Sequence, residues 1–197
     1  DLPFFVHDNV VVTPHLGAST AEAQEKAGIS VAKSVRLALA GDLVPDAVNV
    51  AGGRVGEDVR PGIPLIEKLG AVVARLAKGS LTAVEITVAG EIANEDVKVL
   101  ELAALKGIFS AHTSETVSYV NAPVLAEQRG VSVNLNTTTE SEAFRNKLTV
   151  LAATSDGKQV SVTGTLTGPR QIQKLIGVDD YDLEVPLTEH MLVARYQ

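Results

Sequence analysis

Apolar residues in the middle of the chain follow two spacings, which predict an amphipathic helix and then a strand. The first set recurs at every third or fourth position, so it forms one stripe along a helix over about 61–78. This stripe consists of Ile63, Ile66, Leu69, Val73 and Leu76. Val84, Ile86 and Val88 then occupy alternate positions, which predicts a strand with one buried face over 81–91. We expect a hydrophobic core where the two apolar faces meet.

The rest of the chain beyond residue 91 mixes helical and strand patterns. A helix carrying Leu100 and Ile108 is expected between a cap at Asn94 and an end near Phe109. Further strands are predicted at 116–120, 131–135, 148–154, 159–166, 181–185 and 191–196, and further helices at 122–128 and 168–176. The Asp-Gly step between the strands at 148–154 and 159–166 indicates a hairpin. Strands grouped with amphipathic helices predict an α+β domain over residues 51–187, with a mixed or antiparallel sheet against packed helices.

The part of the chain before residue 51 predicts a strand, a turn and one long helix. Residues 9–13 form a β-branched run, which predicts a buried strand. Residues 19–22 have the spacing of a capping box, and the helix that follows is expected to end at Gly41. The glycine-rich residues 51–56 indicate a linker, so a domain boundary is expected at about residue 51.

The charge balance and the absence of cysteine exclude several classes of function. Seventeen Lys and Arg against twenty-four Asp and Glu give a net charge of −7, which argues against nucleic-acid binding and against adhesion to an anionic membrane. No apolar run approaches the roughly 20 residues that a membrane span needs. With no cysteine there is no disulfide, zinc-cysteine site or thiol catalysis, and a cytoplasmic location is expected. Neither end of the sequence looks like a natural terminus, so we expect a piece of a longer protein.

His15 is the strongest candidate for chemistry among the four histidines. It follows the predicted strand and precedes a turn that leads into a helix N-terminus, a place where ligands are often bound in α/β folds. An imidazole is also the side chain best suited to acid–base work near neutral pH. His7, His112 and His190 have no second ligand at a metal-binding spacing and are interpreted as surface or packing residues, so no metal site is predicted.

Phosphate and dinucleotide signatures are missing from the sequence. It contains neither a P-loop nor a Gly-x-Gly-x-x-Gly fingerprint nor a nucleophile elbow, so a complete dinucleotide-binding unit is not encoded. Arg170 and Lys174 lie four positions apart on the predicted helix 168–176, where they would clamp an effector anion. A solvated basic face is the favoured alternative for this pair.

The segment around His15 resembles a known family. The string NVVVTPHLGASTAEAQ at 9–24 is similar to the catalytic-histidine segment of the NAD-dependent D-2-hydroxyacid dehydrogenases. The strings at 38–41 and 44–50 resemble the phosphoglycerate branch of that family. Four further strings, at 90–91, 105–110, 120–123 and 164–168, resemble the intervening domain of its long form, and 189–196 resembles the first strand of its ACT regulatory domain.

The resemblance implies a domain division and a role for each part. Residues 1–15 would be the last strand of the α/β Rossmann-like nucleotide-binding domain, and 16–50 the return into the substrate-binding domain. Residues 51–187 would be the intervening domain, associated in the family with oligomer contacts and effector binding, and 188–197 the start of an ACT domain. The parent enzyme would oxidise 3-phosphoglycerate with NAD in serine biosynthesis.

The resemblance also assigns the candidate site residues. His15 would be the acid–base residue, and Gly17 and Ala18 would lie beside the nicotinamide, where small residues permit close approach. The family's other catalytic residues and its nucleotide fingerprint lie upstream, so this chain alone is expected neither to bind NAD tightly nor to turn over.

Two alternatives remain open from the sequence. The first is a stand-alone effector-binding or oligomerisation module in which His15 is incidental. The second is another D-2-hydroxyacid dehydrogenase, which would share the histidine but acts on a different substrate.

Overall fold

The computed structural model describes residues 7–44, 47 and 55–194. Four α-helices in this part of the chain are α1 (Ala21–Leu39), α2 (Gly62–Leu76), α3 (Lys98–Ser110) and α4 (Ala122–Gln128). Six strands are β1 (Leu81–Gly90), β2 (Ser132–Thr138), β3 (Asn146–Thr154), β4 (Gln159–Thr167), β5 (Ile172–Val178) and β6 (Tyr181–Pro186). A short 3-10 helix, Glu91–Asn94, follows β1.

The six strands form one mixed sheet in the order β2-β1-β3-β4-β5-β6. β2 runs parallel to β1, and the other neighbouring pairs are antiparallel. The parallel pair needs a crossover, which α3 and α4 supply between β1 and β2. Helix α2 packs on β3 and β4 and also on α3. The predicted α+β class with a mixed sheet against packed helices is confirmed.

The core lies between α2, α3 and the helix-facing side of the sheet. The residues of the α2 stripe up to Val73 are buried, as are the alternating Val84, Ile86 and Val88 of β1. Among the residues that the structure describes, Phe109 of α3 is the largest fully buried side chain. The two spacings in the sequence therefore identify the faces that meet.

Two glycines allow α2 and α3 to cross at very short range. A β-carbon built on Gly107 of α3 would overlap the carbonyl oxygen of Glu67 in α2, and one built on Gly70 of α2 would overlap that of Ala104 in α3. The two helices therefore touch through their backbones at this crossing, which no residue with a β-carbon permits without moving one helix.

The hairpin predicted from Asp156-Gly157 is present between β3 and β4. Gly157 has φ +80°, the left-handed conformation such a turn requires. The Asp156 carboxylate accepts hydrogen bonds from Lys158 Nζ and from the hydroxyl of Thr154, each at 2.6 Å. These hydrogen bonds, first that of Lys158 and then that of Thr154, lower the pKa of Asp156 to about 2.

The helix predicted over 168–176 is wrong. Gly168 (φ +68°) and Gln171 (φ +52°) form a turn, closed by a hydrogen bond from Gln171 N–H to the Gly168 carbonyl. The chain then enters β5, which pairs with β4 and β6. Sheet pairing on both sides outweighs the helix propensity of the glutamines and the lysine in this segment.

Two smaller predictions, a strand at 116–120 and a cap at Asn94, also differ from the structure. Residues 116–120 form a loop and not a strand, because the Asn121 side chain bonds to Ser118 N–H and to the Thr116 carbonyl. Asn94 does not cap α3; it ends the 3-10 helix, and α3 starts after Val97.

Two predicted strands near the ends of the described chain are absent. Residue 9 lies in a turn, closed by a hydrogen bond from Val10 N–H to the His7 carbonyl, residues 10–13 belong to no helix or strand, and Val11 is 89% exposed. Residues 191–194 also lie outside any strand, while 195–197 lie outside the described residues, as does the predicted boundary at residue 51. None of the helices within the described ranges is long and apolar enough to cross a membrane.

Candidate functional site

His15 lies on the exposed loop that leads into α1. Its imidazole folds back over the following turn, because a β-carbon built on Gly17 would be only 2.9 Å from His15 Cε1. Ala18 then adopts φ +54°, a conformation uncommon for residues other than glycine. An exposed imidazole is thus held against a turn made of two small residues, which leaves the ring accessible to a ligand.

Helix α1 fixes the end of this turn. The hydroxyl of Thr20 accepts a hydrogen bond from Ala23 N–H at 3.1 Å, so Thr20 is the N-cap, one residue later than the capping-box spacing predicts. The helix ends as predicted at Gly41, whose φ of +73° completes a Schellman motif: Gly41 N–H bonds to the Ala38 carbonyl and Asp42 N–H to that of Leu37.

The segment that follows α1 contacts the sheet domain. None of the α1 residues is buried. Beyond it, Gly41 is buried near the Val117 carbonyl, and Leu43 and Ala47 pack against the hydrophobic core. The loop before α4 therefore forms the platform on which the end of the His15-bearing segment rests.

A small polar network anchors this platform to α2 and α3. The Tyr119 hydroxyl donates a hydrogen bond to Glu67 Oε2 at 3.1 Å, and Lys106 Nζ lies 3.0 Å from Glu67 Oε1 and 4.7 Å from the Tyr119 ring centroid. Burial, followed by the charge and the hydrogen bond of Glu67, raises the pKa of Tyr119 well above its usual value. The phenol therefore stays a hydrogen-bond donor at any physiological pH.

A cleft of about 680 Å³ opens where β1 ends and α2 begins. Its floor includes Leu65, Ile92 and Leu148. Charged residues at the cleft are Glu57, Asp58, Glu91, Glu95 and Arg145. The Arg145 guanidinium bonds to Glu91 Oε2 through Nε and Nη2, both at 2.7 Å, and this hydrogen bond raises the Arg145 pKa. The cleft therefore combines an apolar floor with an acidic rim.

Gly90 allows the strand ends beside the cleft to meet. It has φ +104°, and a β-carbon there would overlap the carbonyl oxygen of Arg145. Asn146 Oδ1 accepts a hydrogen bond from Ile92 N–H at 3.0 Å, which holds the 3-10 helix against the start of β3. Sequence reasoning missed the cleft because its charged residues are scattered along the chain.

The predicted anion clamp does not have the geometry that the sequence suggested. Arg170 lies in the turn before β5, whereas Lys174 lies within β5, so the two are not on one helix face. Lys174 Nζ lies 2.5 Å from Glu184 Oε1 on β6 and is already paired with a carboxylate. The two residues therefore do not lie on one helix, as the predicted anion site requires. Within the described residues there is also no group of three or more acidic or histidine side chains arranged to hold a metal ion.

Comparison with known proteins gives one family match that spans more than half of the chain. The model of the D-3-phosphoglycerate dehydrogenase intervening domain matches residues 58–179. This range contains α2, α3, α4 and most of the sheet.

The chain is also similar to curated proteins named D-3-phosphoglycerate dehydrogenase. It is 50% identical over 196 residues to that of Mycobacterium leprae (strain TN), covering 100% of this chain and 37% of the relative. It is 46% identical over 196 residues to that of Mycobacterium tuberculosis (strain ATCC 25618 / H37Rv), with the same coverage. The protein of Methanocaldococcus jannaschii is 34% identical over 186 residues, which are 93% of this chain and 34% of that relative. The chain thus spans little more than a third of these relatives.

Proposed function

This chain belongs to the D-3-phosphoglycerate dehydrogenase family, and from that membership we propose that it is part of an NAD-dependent enzyme that oxidises 3-phosphoglycerate to 3-phosphohydroxypyruvate. The resemblance inferred from the sequence is confirmed by the match to the intervening domain. The observation that carries the proposal is the identity of about half of the residues over the whole chain, including the His15 segment, to a relative of that name. The reaction would supply serine biosynthesis in the cytoplasm.

His15 is the acid–base residue in this proposal. The exposed imidazole takes the proton of the substrate hydroxyl while the C2–H bond breaks and its electron pair leaves as hydride. The packing of the ring against Gly17 limits the directions in which it can face. In the reverse reaction the same nitrogen returns the proton to the carbonyl oxygen of the keto acid.

The turn after His15 would contact the nicotinamide ring of NAD but not its phosphates. Gly17 and Ala18 carry at most a methyl group, and both are exposed, so a flat ring can approach the backbone closely. The sequence contains no glycine-rich phosphate loop, so these residues would contact the nicotinamide alone. When bound, NAD supplies the hydride acceptor, and the described residues contribute the proton acceptor beside it.

The test is an assay of the full-length parent protein with 3-phosphoglycerate and NAD. We expect His15→Ala to lower kcat by a factor of about 10² or more, because it removes the general base. His7→Ala is the matched control, since His7 is exposed on the same loop and should leave kcat unchanged. Equal loss in both variants, or no reduction of NAD by a folded parent, would contradict the assignment. Turnover of a different D-2-hydroxyacid in place of 3-phosphoglycerate would select the alternative substrate.

The 197-residue chain by itself is expected to be inactive. Its described part offers the proton acceptor but no residues for the phosphates of NAD, so binding of the dinucleotide should be weak. Detectable NAD reduction by the isolated chain would overturn this expectation. The sheet domain would instead serve assembly and regulation, as a homo-oligomer contact and an effector-binding unit of the parent.

A further inference from the structure

The two edges of the six-stranded sheet are built differently. The outer strand β6 carries Asp182, Glu184 and Pro186 and has an irregular register with β5. Charges, proline and register breaks are the features with which proteins protect an open edge from pairing with another strand. β2, at the other edge, has none of them: its seven residues, Ser-Val-Asn-Leu-Asn-Thr-Thr, are uncharged and keep an unbroken register with β1.

The unprotected edge is also open. Within the described ranges, the β2 backbone pairs with β1 and with no strand on its other side. Five of its seven residues are exposed, and the two apolar ones, Val133 and Leu135, are only half-buried although they pack against the core. The outer side of such a strand presents a row of N–H and C=O groups without a protein partner, with which another strand can pair.

The residues of β2 are complementary to a second copy of themselves in an antiparallel arrangement. With Leu135 opposite its own copy, Asn134 faces Asn136, Val133 faces Thr137, and Ser132 faces Thr138. The first of these pairs lies on the open face of the sheet and the second on the helix side, as the pairing of Asn134 with Glu85 and of Val133 with Val84 indicates. The two half-buried leucines would meet at the two-fold axis and extend the core from one copy into the next.

The charges that flank β2 favour the antiparallel direction over the parallel one. Exposed Arg129 precedes the strand, and exposed Glu140 and Glu142 follow it. An antiparallel pair centred on Leu135 brings the end of one copy that carries Arg129, at the C-terminus of α4, to the end of the other copy that carries Glu140 and Glu142. A parallel pair would place each glutamate beside its own copy and lose this attraction.

We propose that β2 is an oligomerisation edge, at which two copies of this chain join their sheets into one continuous twelve-stranded sheet through an antiparallel β2–β2 pair. The partner is a second copy, because the edge is neutral and complementary to itself, and because its flanks carry opposite charges. The proposal rests on the homo-oligomer part of the proposed function, but not on hydride transfer.

The test is sedimentation velocity of the 197-residue chain over a range of concentrations, with two double variants of the same two positions. Asn134→Lys with Asn136→Lys places like charges opposite each other twice, and we expect at least a tenfold loss in the association constant. Asn134→Lys with Asn136→Glu places a lysine of one copy opposite a glutamate of the other when the strands pair antiparallel, whereas a parallel pair in register would place like charges together. Association through the antiparallel pair should therefore be retained or strengthened. Gln159→Lys, at an exposed position of β4, is the control and should associate like the original chain.

Each outcome of this experiment decides the proposal. A chain that remains monomeric at about 100 µM, a concentration at which even weak specific dimers form, would overturn it, as would equal association of both double variants. Circular dichroism of every variant shows whether the fold is intact, because both double variants remove the hydrogen bond that the Asn136 amide donates to Glu85 Oε1 at 2.8 Å. If the parent enzyme reduces NAD whether or not the β2 variants associate, the catalytic proposal stands while the edge proposal is judged separately.

Discussion

Replacing Gly107 by alanine tests the closest contact in the fold, the crossing of α2 and α3. The new methyl would overlap the backbone carbonyl of Glu67, which lies inside a helix and cannot rotate away as a side-chain end would. One helix must therefore shift relative to the other. That shift would also disturb the buried face of α2 that covers β3 and β4.

The size of the effect follows from two opposing terms. Alanine gains about 1 kcal/mol over glycine in a helix interior. Overpacking of a tight interior costs about 1–3 kcal/mol. The cost here should lie at the upper end of that range, because the new methyl meets a helix backbone that cannot rotate away. The net expectation is a loss of about 2 kcal/mol in the free energy of unfolding. At roughly 4 °C per kcal/mol for a domain of this size, the thermal midpoint should fall by about 8 °C.

Urea unfolding followed by circular dichroism, together with scanning calorimetry, measures both quantities. Gly28→Ala is the matched control, since nothing lies within 4 Å of a β-carbon built at that position of α1. The control keeps the helix-propensity gain and has no overlap, so it should be neutral or slightly stabilising. A Gly107→Ala chain that unfolds at or above the original midpoint would refute the close crossing.

Three further predictions concern other parts of the molecule. Tyr119→Phe removes the hydrogen bond to Glu67 and should cost about 1 kcal/mol of unfolding free energy by urea titration, a modest loss because the carboxylate keeps its lysine partner and is partly solvated. The lowered pKa of Asp156 stabilises the fold above its unfolded pKa of about 4, and this contribution is lost as the pH falls to about 2. Asp156→Asn should therefore lower the urea midpoint near neutral pH and match the original chain near pH 2; a constant difference would contradict this. Gly17→Ala should displace the His15 ring, change its NMR signals and lower kcat in the parent by about tenfold or more, while an unchanged ring signal would show that the contact does not hold it.

Local periodicity was sufficient for much of the fold. The helix-spaced stripe of α2, the alternation of β1 and the Asp-Gly hairpin each correspond to an element whose apolar face is buried in this domain. These patterns succeed because the same burial that stabilises the element also sets its spacing. The predictions fail where contacts with distant parts of the chain determine the secondary structure. In β5 the glutamines and the lysine suit a helix, but pairing with β4 and β6 makes the segment a strand.

The candidate site also contains residues that local sequence can indicate and residues that only the fold brings together. His15 and its turn could be proposed from the sequence because they lie together in one short string. The Glu91–Arg145 pair at the cleft joins residues 54 positions apart, and nothing in either local sequence specifies the other. Only the closure of β1 against β3 at Gly90 brings them together.

The uncharged sequence of β2 can be read directly, but its consequence depends on the position of the strand in the sheet. The polar stretch of asparagines and threonines after Val133 has little hydrophobic signal, and the sequence predicts a strand only as far as Leu135. Pairing with β1 extends the strand to Thr138 and places it at the margin of the sheet. At the centre of a sheet such a strand would have both its edges paired. At the margin, the same lack of charge leaves an edge without protection, and since β6 is protected at the opposite margin, the difference points to a surface that is covered when the chain assembles.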